Sequence, residues 1–96
     1  MRPSDALKLH RDRIREIALG HRVTNVRVFG SVLTNEDTED SDLDILVNPT
    51  SETTYFDLGA IQCELSDFLG LKVDVLTPNS LPARFRTQVL HEARPL

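Results

Sequence analysis

Two short apolar runs joined by a helical pattern constrain the fold of this chain most strongly. The first run, DLDILV at residues 42–47, and the second, LKVDVLT at residues 71–77, are each bounded by a proline and are typical of buried strands. Between them, apolar residues recur at helical spacing over residues 53–69, and Gly70 follows as a helix end. A strand, a helix and a further strand predict parallel pairing with a right-handed crossover.

The remaining segments extend this pattern to an α+β layer domain. Ser4 is the predicted N-cap of a leading helix that ends at Gly20, and the alternating run VRVF at residues 26–29 predicts another strand. Residues 31–41 are predicted to form a loop with a helical turn at its start, and residues 81–91 a last helix. We therefore expect a small mixed sheet of three strands or slightly more, with helices packed on it. The first two strands could pair in either direction.

Three aspartates are predicted to share one face of this sheet. Because strand side chains alternate between faces, Asp42 and Asp44 lie on the face opposite Leu43 and Ile45. Asp74 interrupts the next strand with the same alternation. Neighbouring strands would bring the three carboxylates together, where they repel one another unless a cation lies between them. Oxygen-only ligands suit Mg²⁺ or Mn²⁺, which polarise a phosphoryl group and activate an attacking oxygen.

Two simpler interpretations of these acids compete with a metal site. Aspartates at the start of a strand are often only solvated, but a charge inside an apolar strand, as at Asp74, is costly without a partner. An EF-hand calcium loop beginning at Asp40 would need glycine and glutamate where the chain has Ile45 and Ser51. A metal site therefore remains the favoured interpretation.

Gly30-Ser31 stands ten residues before Asp42, between the first predicted strand and the loop. Without a side chain, Gly30 would let a ligand approach the backbone closely. Ser31 offers a hydroxyl and an N–H, and a helix start there favours an anion such as a triphosphate. An ordinary turn at the end of a strand is the alternative. The glycine spacing matches neither a Walker A loop nor GxGxxG.

Charge and hydropathy narrow the class of partner. The chain of 96 residues has a formal net charge of −4, which argues against direct nucleic-acid binding. Six acids between residues 36 and 44 would repel a phosphate-bearing ligand unless a cation intervened. No apolar run approaches the roughly 20 residues of a membrane helix, and the start of the sequence lacks a signal-peptide core. We expect a cytoplasmic protein without membrane contact.

The combination of Gly30-Ser31, ten residues, Asp42-x-Asp44 and a later Asp74 resembles the polymerase beta-type nucleotidyltransferase superfamily, and in particular the minimal nucleotidyltransferases of prokaryotes. The resemblance covers residues 1–96 and implies a single domain with the nucleotidyltransferase fold. It implies that the three aspartates bind Mg²⁺ or Mn²⁺, with Asp74 as third ligand or as a group that helps deprotonate the acceptor. Gly30 and Ser31 would position ATP.

The resemblance also implies a reaction and a partner. Minimal members act as antitoxins to HEPN-domain ribonuclease toxins, and some transfer AMP from ATP to a toxin tyrosine. With 96 residues, the chain is expected to need a partner to complete the acceptor site, as a hetero-oligomer with a toxin or as a homo-oligomer. Two other hypotheses stay open: a family member that neutralises a toxin by binding alone, and a subunit that modifies a small molecule such as an aminoglycoside.

One departure from the family pattern bears on these alternatives. Related sequences commonly have GS-x-A-R-G after the first strand, whereas this chain continues Val32-Leu33-Thr34-Asn35 and lacks the basic residue. Lys72 shares the predicted face of Asp74, and Arg84 and Arg86 lie in the last helix. These three residues are the candidates to replace the missing charge near the phosphates.

Overall fold

The computed structural model describes all residues, 1–96, as three helices packed on one four-stranded sheet. The elements are α1 (Pro3–Leu19), β1 (Val23–Phe29), a 3-10 helix (Gly30–Leu33), β2 (Leu43–Pro49), α2 (Tyr55–Leu69), β3 (Val73–Leu76), a second 3-10 helix (Pro78–Ser80), α3 (Ala83–Glu92) and β4 (Arg94–Pro95). The α+β class and the mixed sheet of three strands or slightly more are confirmed, and the fourth strand, β4, is the element that the pattern did not locate.

The strands lie in the order β3-β2-β1-β4. β2 and β3 pair in parallel, as the intervening helix predicts, and β1 pairs antiparallel with β2. The direction that the sequence left open is therefore antiparallel. The two-residue β4 adds antiparallel to the free edge of β1, where the side chains of Arg11 and Arg15 donate to the carbonyls of Pro95 and Leu96.

The two faces of the sheet are covered unequally. The main core lies between α1, α2 and one face, and its fully buried residues include Leu43, Ile45 and Val73. On the other face, a smaller cluster of Leu46, Leu81 and Ala93 lies at α3. The predicted alternation of β2 side chains between the two faces is thus confirmed, because Ile45 and Val47 belong to the main core and Leu46 to the smaller cluster. The second face has room for polar side chains beside its small apolar cluster.

The start of α1 differs from the prediction. The helix begins at Pro3, so Ser4 lies inside its first turn and is not the N-cap, which falls on Arg2. Proline is favoured at this first position because its missing N–H has no partner there in any case. Gly20 ends α1 and Gly70 ends α2 with a left-handed φ of 68°, and both ends agree with the sequence. No helix is both long and apolar enough to cross a bilayer.

Candidate active site

The register of the sheet places three site residues side by side. Phe29, the last residue of β1, pairs with Asp44 on β2, and Asp44 pairs with Asp74 on β3. Residues directly opposite each other across a strand pair point to the same face. The predicted convergence of Asp44 and Asp74 on one face is confirmed, and Gly30 follows immediately at the end of β1.

Gly30 lies directly against the carboxylate of Asp44. Its φ is +85°, a left-handed conformation that side chains of other residues disfavour. A Cβ built at this position would lie 2.5 Å from Oδ2 of Asp44, well inside van der Waals contact. We predicted that this glycine admits a ligand. In the structure, the space that it leaves is taken by an acidic side chain of the chain itself.

The environment of Asp44 disfavours its charged form. Burial, followed by the nearby charges of Asp74 and Asp42, raises the pKa of Asp44 to about 6. Lys72 acts in the opposite direction and lowers this pKa. Half-buried Asp44 therefore lies close enough to both other carboxylates to be perturbed by them, as expected where carboxylates crowd without a cation. A strongly perturbed pKa of this origin is typical of functional sites.

The donor set suits a hard divalent cation, although the side chains are not converged on one point. All three candidate ligands offer carboxylate oxygens, the kind that Mg²⁺ and Mn²⁺ prefer. No three His, Cys, Asp or Glu side chains are grouped closely enough to hold a metal ion. Oδ2 of Asp42 is instead 3.5 Å from Nζ of Lys72. Side-chain rotation that releases Asp42 from this exposed ion pair would cost little, since such pairs contribute about 0–1 kcal/mol.

All three carboxylates are partly exposed to solvent. None of the three main grooves of the molecule is lined by Asp42, Asp44 or Asp74. A groove of about 480 Å³ at the other end of β2 is lined by Tyr55 and Phe56 and carries no carboxylate. Since enzymes normally exclude water from the reacting atoms, a partly exposed site is suited to closure by a second molecule.

The Gly-Ser turn, which we define as residues Gly30–Leu33, is a single 3-10 turn. Its four residues are too few to supply the helix dipole that the sequence had suggested. The carbonyl of Ser31 accepts from the N–H groups of Thr34 and Glu36, and the side chain of Ser31 is half-buried. Asn35 has a φ of 57°, so asparagine here occupies a left-handed position where the related pattern has glycine.

Of the three candidate basic residues, the structure leaves one beside the carboxylates. Arg86 is committed to the backbone, since its guanidinium donates to the carbonyls of Pro78, Asn79 and Leu81. Arg84 is exposed on α3 and lies over the ring of its neighbour Phe85. Of the three, only Lys72 forms an ion pair with Asp42 and lowers the pKa of Asp44.

Asp37 is a structural residue that the sequence pattern did not single out. It lies in the acidic loop yet is only 3% exposed, and its Oδ2 accepts from the N–H of Ser4 at 2.8 Å. Burial alone would raise the pKa of Asp37, but hydrogen bonding by Ser4 and by the backbone of Asp37, together with the charge of Arg2, outweighs it and holds that pKa below its ordinary value. Oδ1 of Asp37 and the hydroxyl of Ser4 are both buried without hydrogen-bond partners. The contact ties the acidic loop to the start of α1.

Comparison with known proteins agrees with this geometry. The family model described as polymerase beta, nucleotidyltransferase matches residues 12–96. The chain is 42% identical over 77 residues to a protein of Methanocaldococcus jannaschii named "Putative protein adenylyltransferase MJ0435", with 80% of this chain and 83% of that protein covered. The residues matched by the family model include β1, the Gly-Ser turn, β2 and β3, and thus all three aspartates.

Solved structures resemble the fold closely. A chain described as "Structure of putative minimal nucleotidyltransferase" superposes with a TM-score of 0.86 at 39% identity, covering 97% of this chain and 95% of that one. A chain from "Crystal structure of the toxin-antitoxin with AMP-PNP" superposes with a TM-score of 0.74 at 19% identity, covering 88% of this chain and 69% of that one. The second likeness concerns the fold alone.

Proposed function

Since this chain belongs to the polymerase beta nucleotidyltransferase family, we propose that it transfers AMP from ATP to a hydroxyl acceptor. Residues 1–96 would act as one minimal nucleotidyltransferase domain in the cytoplasm. The observation that carries the proposal is the register of Phe29, Asp44 and Asp74, which sets Gly30 and two carboxylates at one edge of the site. The raised pKa of Asp44 supports the same assignment.

The three aspartates would hold Mg²⁺ or Mn²⁺. Asp42 and Asp44 would be its ligands, and Asp74 a third ligand or the group that takes up the acceptor proton. When bound, the cation supplies charge neutralisation, so that triphosphate oxygens are tolerated beside carboxylates, and it polarises the phosphoryl group. Gly30 and Ser31 would contact the phosphates, and Lys72, freed from Asp42, would supply the positive charge that the Gly-Ser turn lacks.

The proposed step is a displacement at phosphorus. The acceptor oxygen forms a bond to the α-phosphorus of ATP, and the bond from that phosphorus to the oxygen bridging to the β-phosphate breaks. Pyrophosphate leaves with the electron pair of the broken bond, and the proton of the acceptor hydroxyl passes to Asp74. The chain's own contribution is to fix the two oxygens in line and to hold the triphosphate still.

The acceptor that fits best is a tyrosine of a HEPN-type ribonuclease toxin, which this chain would inactivate as its antitoxin. Two observations support a protein acceptor. The carboxylates are partly exposed and lie outside the main grooves, where a second protein could cover them, and a fold neighbour comes from a toxin-antitoxin structure with AMP-PNP. A relative bears the name of a protein adenylyltransferase.

The test is transfer of label from [α-³²P]ATP to the protein encoded by the adjacent gene, with Mg²⁺ and with EDTA. We expect the partner to be labelled in Mg²⁺ but not in EDTA. The rate of labelling should fall at least a hundredfold for Asp44→Asn and change little for Asp40→Asn. Asp40 is a matched control because it is an exposed acid of the loop that leads into β2. Absence of transfer, or equal labelling by both variants, would reject catalysis.

A second candidate function is neutralisation by binding alone. It is favoured by Thr34, which stands where the related pattern has arginine, and by the commitment of Arg86 to backbone carbonyls. Under this hypothesis the complex with the toxin forms equally well with Asp44→Asn, and ATP with Mg²⁺ produces no calorimetric heat. Metal-dependent ATP binding with a micromolar Kd would contradict it.

A further inference from the structure

A second charged feature lies away from the carboxylates, in a groove of about 230 Å³ where α1, the Gly-Ser turn and β4 meet. Its apolar lining includes Leu7, Val28 and Val32, which also belong to the main core. Its charged lining consists of Lys8 and Arg11 from α1 and Arg94 from β4. The groove has no role in the reaction proposed above.

The three cations of the groove have no acidic partner. None of them takes part in any of the ion pairs of the chain, and no aspartate or glutamate lines the groove. Other bases of α1 behave differently: Arg13 pairs with Glu16 one turn away. The groove thus concentrates three unpaired positive charges in a chain whose net charge is −4.

Pairing of β4 with β1 positions two of these cationic residues, Arg11 and Arg94. Arg94 belongs to β4, which pairs with Val28 of β1. Nη1 of Arg11 donates to the carbonyl of Pro95 at 3.4 Å, so the two arginines are tied to the same short strand. The buried carboxylate of Asp37 accepts from the N–H of Ser4, but Asp37 does not line the groove. No carboxylate lies within ion-pair distance of Lys8, Arg11 or Arg94.

We propose that this groove binds a phosphate group, as a second anion site separate from the carboxylate site. Two guanidinium groups and an ammonium supply the forked and point-charge donors that phosphate oxygens accept from. A dianionic or trianionic phosphate matches three cations better than a single carboxylate does. The volume is below the roughly 300–1,000 Å³ of pockets for drug-sized ligands, so the groove suits a small anion such as one or two phosphate groups.

The groove and the carboxylate site share a wall. Val32 and Leu33 line the groove, while Gly30 of the same turn touches Asp44. Gly30 and the three aspartates do not line the groove, so the two sites can be tested separately. Occupation of the groove needs no divalent metal, whereas ATP at the carboxylates does.

The experiment is calorimetric titration of the full chain with pyrophosphate in EDTA at low salt, on wild type and on the Asp44→Asn background. We expect saturable binding to both, weakened at least tenfold by the double variant Lys8→Gln/Arg94→Gln. Arg13→Gln is the matched control, because it removes an exposed base of the same helix that is already paired. Circular dichroism establishes that each variant is folded.

Two further arms distinguish the source and the class of ligand. One arm uses a single-stranded oligonucleotide. If it binds the wild type but not the double variant, and pyrophosphate binds neither, the site is supported and its phosphate belongs to a polynucleotide backbone. An acidic peptide that binds as tightly as pyrophosphate would overturn phosphate specificity. Equal affinities of wild type, double variant and control would overturn the site altogether, and none of these outcomes depends on the nucleotidyltransferase activity.

Discussion

The missing side chain of Gly30 makes room for the carboxylate of Asp44. A Cβ on Gly30 would lie 2.5 Å from Oδ2 of Asp44, and the φ of +85° disfavours any other residue there. The end of β1 and the second residue of β2 are thereby locked together at the point where the Gly-Ser turn begins. The glycine thus serves a contact within the chain, in addition to any contact that its backbone makes with a nucleotide.

Gly30→Ala is expected to displace Asp44 and to abolish transferase activity. The left-handed conformation alone costs about 1–2 kcal/mol for a residue with a Cβ, and the clash adds to that cost. Thermal unfolding and the rate of AMP transfer measure the two effects. Gly59→Ala is the control, since nothing lies within 4 Å of its Cβ and it stands inside α2, where alanine is favoured by about 0.5–1 kcal/mol. A Gly30→Ala variant as active as Gly59→Ala would contradict the packing role.

Asp44→Asn is expected to stabilise the metal-free protein while it abolishes activity. The pKa of Asp44 is raised from 3.8 to about 6, so the folded state binds a proton more tightly than the unfolded state. The associated stability is present below about pH 4 and is lost as the pH rises through about 6. A shift of this size corresponds to about 3 kcal/mol, which solvent screening of a half-buried group reduces to about 1–2 kcal/mol.

Urea unfolding in EDTA at pH 4 and at pH 8 measures this prediction. Asp44→Asn should exceed the wild type in stability at pH 8 and should lose most of that advantage at pH 4. Mg²⁺ at pH 8 should raise the Tm of the wild type only, because the variant lacks the carboxylate that the cation would stabilise. A variant that is less stable than the wild type at pH 8 would show that Asp44 is not under electrostatic strain.

The features of this site that depend on local sequence could be predicted, and those that depend on tertiary contacts could not. The side-chain alternation of β2 and β3 depends only on the period of a strand, so the shared face of Asp44 and Asp74 could be predicted. The contact between Gly30 and Asp44 could not, because the direction of β1 relative to β2 was undetermined by its connecting loop. The strand β4 has only two residues and is held by tertiary hydrogen bonds, which no local pattern encodes.

Lys72→Met is expected to raise the pKa of Asp44 above about 6, because the lysine is the one group that lowers it. Carbon-13 NMR titration of the Asp44 carboxyl in EDTA measures this directly. In the transferase assay, the acid limb of the pH profile should move to higher pH, and the KM for ATP should rise if Lys72 contacts phosphate. Arg84→Met is the control, since Arg84 is exposed on α3 and lies over Phe85. An unchanged titration of Asp44 would refute the coupling.

Asp37→Asn is expected to lower the free energy of unfolding by about 1 kcal/mol at pH 7, since it removes a buried charge that accepts from the N–H of Ser4 in the first turn of α1. The pKa of Asp37 is lowered in the folded state, so its contribution is present above the ordinary value of 3.8 and is lost as the pH falls through the folded value. The difference in unfolding free energy between wild type and variant should therefore shrink in acid, as urea unfolding between pH 7 and pH 3 can measure.

Asp40→Asn replaces an exposed acid of the same loop and should change neither the unfolding free energy nor its dependence on pH. A constant difference across this range would assign the loss to packing and not to charge.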